Sequence, residues 1–99
     1  MSRLFLDVDP QLLHLPPSRA AGADPAKLQR QLAKFGQSTQ GMPPLEVSRG
    51  NDGALMLNDG VTRATRVAKL LPGSLVRVEV IDNLAVPVGH LPTIGDKLP

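Results

Sequence analysis

The architecture is marked most clearly by the stretch Leu55-Met56-Leu57-Asn58-Asp59-Gly60-Val61-Thr62-Arg63-Ala64-Thr65-Arg66. Its pattern predicts a short apolar strand that ends at Asn-Asp-Gly and a helix that begins directly after the glycine. A glycine at such a turn lets the backbone approach a ligand closely, and the unpaired N–H groups of the first helical turn face an anion. Arg63 adds a forked, permanently charged set of donors that matches a phosphate or a carboxylate. The stretch therefore predicts an anion site at the strand-to-helix turn.

A hairpin precedes this turn and a helix follows it. Residues 45–48 alternate as a half-exposed strand, residues 50–53 (Gly-Asn-Asp-Gly) are typical of a tight turn, and residues 54–57 supply the return strand. After the turn, apolar residues recur at helical spacing as far as Leu71, where Pro-Gly ends the pattern. The polar face of that helix carries Thr62, Arg63, Arg66 and Lys69.

A first helix is predicted over residues 25–35. Asp24 is placed to cap it, Pro25 suits its first position, and Gly36 ends it. Its apolar face carries Leu28, Leu32 and Phe35, which recur at i, i+4 and i+7.

Two more extended segments and a tail complete the chain. Residues 3–9 indicate an edge strand, and residues 75–81 alternate apolar and charged side chains, which is typical of a strand with one buried face. Residues 83–99 are rich in proline and show no periodicity. We therefore expect one domain over residues 1–82, followed by an irregular tail that is either draped over the domain or acts as a linker.

Composition limits the classes of function. The 99 residues suit one small domain, and the absence of cysteine excludes disulfides, thiolate chemistry and Cys-ligated zinc. The formal charge of +2 permits an anionic partner without requiring one. No segment approaches the ~20 apolar residues of a membrane span, and Asp7 and Asp9 interrupt any signal-peptide core. We expect a cytoplasmic protein with no membrane partner.

The order of these elements resembles the superfamily shared by sulfiredoxins and the N-terminal domains of ParB-type partition proteins, over about residues 4–82. One motif is Asp-Pro-Ala-Lys-Leu-Gln at 24–29, followed by Pro-Pro-Leu-Glu-Val at 43–47. The other is Asp-Gly-Val-Thr-Arg at 59–63, with Ala-Lys at 68–69. The resemblance implies an α+β fold with a mixed sheet of about four short strands and two main helices.

The resemblance also implies a nucleotide site, with ATP or CTP and Mg²⁺ as the candidate ligands. In sulfiredoxins, residues at the positions of Lys27 and Arg63 contact ATP phosphates. The sulfiredoxin cysteine and histidine fall on Val61 and Thr62, so sulfiredoxin catalysis is excluded. In ParB proteins, a glutamate and an arginine of the nucleotide motif fall on the same two positions, so this chain lacks both of those groups. A ParB-type loop motif falls near Ser18-Arg19 and offers a supporting phosphate contact.

Independently of any family, Lys27, Arg30 and Lys34 share one face of the first helix. If that helix packs beside the Gly60 turn, the three converge with Arg63 and Arg66 on one anion. The alternatives are a solvated basic face, and an Arg63 that pairs with Asp59 or Asp82. For Asp59, we expect a role in capping the second helix or in the turn.

The sequence does not define a reaction, and no catalytic residue is identified. His14 and His90 lack ligand-like spacing, so no metal centre is expected, and only Asp59, Glu46 and Asp82 are available to activate water. The first functional hypothesis is binding of a nucleotide or other phosphorylated ligand, with weak phosphohydrolase activity as an extension. The second is a ParB-like DNA-binding, nuclease or toxin-type domain. The third is a non-catalytic module whose tail binds a partner protein.

Overall fold

The computed structural model describes residues 3–99, which form a four-stranded sheet with two main helices. Three short 3-10 turns, at Pro10–Leu12, Pro17–Arg19 and Gly95–Lys97, lie in the connections and the tail. The predicted α+β class is confirmed. The main elements in chain order are β1 (Leu4–Val8), α1 (Pro25–Phe35), β2 (Leu45–Arg49), β3 (Leu55–Asp59), α2 (Val61–Leu70) and β4 (Val76–Asn83).

The sheet is mixed and has the strand order β1-β4-β2-β3. Strands β2 and β3 form the predicted antiparallel hairpin, whereas β2 and β4 are parallel because α2 crosses between the end of β3 and the start of β4. Strand β1 pairs antiparallel with β4 and lies at the edge, as predicted. In β4, Val76 and Val78 are buried and Arg77 is exposed, which confirms the predicted alternation.

Helix α1 begins and ends where the sequence predicts. The Asp24 carboxylate accepts a hydrogen bond from the Lys27 N–H at 3.0 Å, and Gly36 closes the helix with a φ of +54°. Leu28 is buried, but Phe35 is 40% exposed. The apolar face of α1 is therefore buried at Leu28 and exposed at Phe35.

Helix α2 begins at a glycine that no other residue replaces easily. Gly60 has a φ of +99°, and a Cβ there would lie 2.5 Å from the Leu45 Cδ2 atom. Gly60 is itself the N-cap, and no side chain caps this helix, so the prediction that Asp59 caps it is wrong. The helix packs against the sheet through Val61, Ala64, Val67 and Ala68.

The tail is draped over the domain and contributes to the core. Ile94 is 1% exposed, and its N–H donates to the Leu13 carbonyl at 2.9 Å. The Leu15 N–H donates to the Pro92 carbonyl at 2.7 Å. The His14 N–H, on the other side, donates to the Leu55 carbonyl of β3 at 2.9 Å. The segment around His14 thus joins β3 to the tail.

Neither main helix of residues 3–99 has both the length and the apolar character that a membrane crossing requires.

Candidate functional site

An open groove of about 400 Å³ lies between the cationic face of α1 and the first turn of α2. Residues three or four positions apart lie on the same side of a helix, so the three cations of α1, Lys27, Arg30 and Lys34, reach the same groove. Thr62 is half-buried and closes the opposite wall. The lining residues are Lys27, Arg30, Gln31, Lys34, Phe35 and Thr62.

The cations of this groove have no ion-pair partner among the described residues 3–99. No carboxylate lines it. In the part of the chain from residue 3 onward, the ion pairs are Arg3–Glu79, Arg63–Asp59 and Arg77–Asp7, and none includes Lys27, Arg30 or Lys34. Cations at i, i+3 and i+7 on one helix repel one another. The arrangement therefore favours an anion from outside the chain.

The start of α2 adds backbone donors to the same wall. The helical hydrogen-bond ladder begins with the Ala64 N–H, which donates to the Gly60 carbonyl at 2.8 Å. The preceding N–H groups, including those of Val61 and Thr62, have no side-chain cap. The positive end of the helix dipole reinforces them. Of the two predicted residues at the start of α2, Thr62 lines the groove with the cations of α1, whereas the Val61 side chain packs in the core.

The role of Gly60 differs from the expected one. The sequence suggests that its missing side chain makes room for a ligand, but the Leu45 side chain fills that space. The glycine is needed for the left-handed turn and for packing of β2 against the start of α2. It positions the strand-to-helix turn without itself forming an open cradle.

Arg63 is held by its own surroundings. Its Nη2 atom lies 3.2 Å from the Asp59 carboxylate, and its Nη1 atom donates to the Pro43 carbonyl at 3.2 Å. This is the local pairing that the sequence left open as an alternative. Arg63 does not line the groove, but it does line a smaller pocket beside it.

Arg66 is buried, although the helical pattern assigns it to the polar face. It is 2% exposed, and its Nη1 atom donates to the carbonyls of Gly36 at 2.8 Å and Ser38 at 2.7 Å. Burial lowers the pKa of the Arg66 guanidinium. The predicted contact of Arg66 with an anion in the shared site is thus replaced by bonds to the end of α1, because α1 covers that side of α2.

The structure brings three of the five predicted cations into the groove and adds two residues that the sequence analysis missed. These two, Gln31 and Phe35, line both the groove and the adjoining pocket. A signal for them was present, since Lys27, Gln31 and Phe35 recur at i, i+4 and i+8 and so lie along one side of α1.

The candidate groups for other chemistry lie elsewhere. Glu46, Asp59 and Asp82 are exposed and line neither the groove nor its neighbouring pocket. Ser18 and Arg19 lie in a 3-10 turn and are also absent from both linings.

The histidines do not form part of a metal-binding cluster. The His14 Nδ1 atom lies 2.8 Å from the Leu91 carbonyl oxygen and so serves the tail contact. In the segment 3–99, no three His, Asp or Glu side chains are grouped in a way that would hold a metal ion.

Comparison of the sequence with protein families and with curated proteins gave no match to a family model and no matching relative.

Proposed function

We propose that this protein binds a small phosphorylated ligand in the groove between α1 and the start of α2. The observation that carries the proposal is the set of three cations, Lys27, Arg30 and Lys34, which share a carboxylate-free groove and have no ion-pair partner in the described chain. Phosphate oxygens accept charge-assisted hydrogen bonds from both lysine and arginine. The ligand is a nucleotide or another phosphate ester.

The start of α2 supports the same ligand class. A phosphate at a helix N-terminus accepts hydrogen bonds from the first-turn N–H groups and interacts favourably with the helix dipole. Thr62 adds a hydroxyl, and its half-buried position on the wall of the groove limits competition from water. The two walls therefore supply complementary donors, side chains from α1 and backbone from α2.

The proposed kinship with the ParB/sulfiredoxin-like superfamily agrees with this location in part. The resemblance assigns phosphate contacts to the positions of Lys27 and Arg63, and only Lys27 lines the groove. Hydrolysis is not included in the proposal, because no carboxylate lines the groove to activate water. A groove with three cations also suits a small anion better than a DNA duplex, whose binding relies on an extended basic surface.

Binding of inorganic tripolyphosphate tests the proposal directly. At about 100 times the Kd, the ligand should stabilise the fold by about 2.7 kcal/mol, seen as a rise in Tm. The double variant Lys27→Gln/Lys34→Gln should lose most of this rise. The control Lys69→Gln/Lys97→Gln removes the same charge from outside the groove and should keep it.

Three results would count against the proposal. An absence of any Tm rise with tripolyphosphate would remove the anion site. Equal losses in the two double variants would show a nonspecific effect of net charge. Tighter binding of random duplex DNA than of tripolyphosphate, with a steep salt dependence, would instead support the DNA-acting hypothesis.

A further inference from the structure

The two edges of the sheet differ in how far they are covered. At the β3 edge, the His14 N–H donates to the Leu55 carbonyl and the Leu57 N–H donates to the His14 carbonyl, both at 2.9 Å. Strand β1 forms the opposite edge, and within residues 3–99 it pairs with β4 alone. An edge strand presents a row of unpaired backbone N–H and C=O groups, which a further strand can bind. The β1 edge is therefore the one available for pairing.

The β1 edge also exposes large apolar side chains. Leu4 is 39% exposed and Phe5 is 36% exposed, and as neighbours in a strand they lie on opposite faces of the sheet. Leu6 and Val8 lie on the same face as Leu4 and pack against the core. The apolar layer on the helix side of the sheet thus extends to the β1 edge and is only partly covered there.

Two charges of opposite sign flank Phe5 at equal distances along the strand. Arg3 precedes Phe5 by two residues, and Asp7 follows it by two. Both form ion pairs with β4, Arg3 with Glu79 and Asp7 with Arg77. Their side chains nevertheless remain 68% and 52% exposed. Each of the two can therefore take a second partner of opposite charge.

We propose that two copies of this chain pair antiparallel through β1, centred on Phe5, to form one continuous sheet. In this register Phe5 faces the partner's Phe5 at the twofold axis. Leu4 faces the partner's Leu6 on the helix side of the sheet. Arg3 faces the partner's Asp7 on the other side. The axis repeats each contact, as the isologous interface of a C2 dimer requires. The pairing adds main-chain hydrogen bonds to these cross-strand side-chain pairs.

The positions of the charges select this register. Charged side chains on an edge strand often prevent pairing, but opposite charges directly across an antiparallel pair attract each other. A shift of two residues in either direction places Arg3 or Asp7 opposite the partner's Phe5 and breaks both Arg3–Asp7 pairs. Because β1 has only five residues, the contact is smaller than a standard stable interface. The dimer should therefore dissociate on dilution.

Charge reversal at the two ends of β1 tests the surface and the register together. Arg3→Glu faces the partner's Asp7 with a like charge, and Asp7→Arg does the same to the partner's Arg3. Each variant alone should dimerise about tenfold more weakly than the parent protein. An equimolar mixture of the two should recover dimerisation, because both cross-strand pairs of the mixed dimer again have opposite charges. This recovery also shows that the variants fold.

Sedimentation velocity at about 10 µM to 1 mM, the range expected for a small interface, measures these equilibria. A parent protein that stays monomeric throughout would overturn the proposal. So would dimerisation that the single variants leave unchanged, or a mixture that associates no better than either variant alone. The proposal does not depend on the anion groove, whose lining residues lie on α1 and α2.

Disulfide trapping examines the centre of the contact. The chain contains no cysteine, so an introduced one is its single thiol. Phe5→Cys places two thiols across the axis, where paired Cα atoms are about 4.5–5.5 Å apart and within reach of a disulfide. Val86→Cys is the control, because Val86 is 57% exposed but lies in the tail. Under mild oxidation Phe5→Cys should form covalent dimers at least tenfold faster, and equal rates would refute pairing at Phe5.

Discussion

Arg66 shows how a single charged side chain can be structural although its helical position suggests solvent. Its guanidinium joins α2 to the carbonyls of Gly36 and Ser38, which follow the last turn of α1. Carbonyls at a helix C-terminus lack intrahelical donors, and a cation there also complements the helix dipole. Arg66 therefore fixes the start of the loop that lines the smaller pocket beside the groove.

Replacing Arg66 by methionine should destabilise the fold markedly. We expect Arg66→Met to lower the free energy of unfolding by about 2–4 kcal/mol, because it removes both charge-assisted hydrogen bonds from the buried guanidinium to the Gly36 and Ser38 carbonyls. Arg63→Met should cost less than about 1 kcal/mol, since its ion pair is with an exposed carboxylate. Urea unfolding followed by circular dichroism measures both. A smaller loss for Arg66→Met than for Arg63→Met would contradict this assignment.

Gly60 is constrained twice, by its backbone conformation and by Leu45. We expect Gly60→Ala to lower the free energy of unfolding by about 2–4 kcal/mol, since a left-handed φ and a clash with a buried leucine add. Gly73→Ala is the matched control: its φ is +90°, but its Cβ would meet no atom within 4 Å. It should cost only about 1 kcal/mol, from the backbone alone. Equal losses in thermal or urea unfolding would show that Leu45 adjusts freely.

At the scale of elements, α1 shows how much of a helix the spacing of apolar residues and the local capping signals can predict. Its bounds were predictable because capping and stop residues act locally, through Asp24, Pro25 and Gly36. Its apolar face is not buried along its whole length, since Leu28 is buried whereas Phe35 is 40% exposed. Which side of a helix end is covered depends on the neighbouring elements, and no local pattern of the sequence records that.

The tail is the element that sequence periodicity describes least. Ile94 and Val88 are buried at 1% and 3% exposure, yet they lie in an irregular segment without alternation. They reach the core through turns held by side chains, and the spacing of such turns has no fixed period. The alternatives of a draped tail and a linker could not be separated from composition for this reason.

Asp52 should make the attachment of the tail sensitive to acid. Its carboxylate accepts from the Gly89 N–H at 2.9 Å and, more weakly, from the N–H groups of Ala54 and Val88. These bonds, that of Gly89 foremost, lower the pKa of Asp52. When a carboxylate has a lower pKa in the folded protein than in the unfolded chain, its ionised form stabilises the fold. This stabilisation is complete above the unfolded-state pKa of about 3.9, and it is lost as the pH falls through the pKa of the folded state.

The variant Asp52→Asn tests this link. It should be less stable than the parent protein near neutral pH, and the difference should shrink as the pH falls from about 5 to about 2. Amide hydrogen exchange at Gly89 should be faster in the variant at neutral pH. Asp82→Asn is a suitable control, since among residues 3–99 the Asp82 side chain accepts only the adjacent Asn83 N–H. A difference that persists unchanged into acid would show that the carboxylate charge plays no part.

At the scale of the whole molecule, charge is divided between the two sides of the sheet. Strands β1 and β4 carry paired charges, with Arg3 bound to Glu79 and Arg77 bound to Asp7. Among residues 3–99, the three cations of α1 have no such partners, and they share one groove. The formal charge of +2 alone does not reveal this clustering. Like charges so close together have a cost for the protein when no anion is bound.

That cost leads to a prediction that separates a binding role from a structural one. Without ligand, Lys27→Gln/Lys34→Gln should raise the free energy of unfolding slightly, by up to about 0.5 kcal/mol at low salt, because it relieves repulsion with Arg30. Salt should stabilise the parent protein more than this variant between about 0.02 and 0.5 M, since screening relieves the same repulsion. Urea unfolding across that range measures both effects, with Lys69→Gln/Lys97→Gln as the control of equal charge.

A net loss of stability in the groove variant, larger than in the control, would mean that these lysines hold the fold together. A gain in ligand-free stability combined with lost tripolyphosphate binding would mean that the cations are retained for the ligand at the expense of the fold.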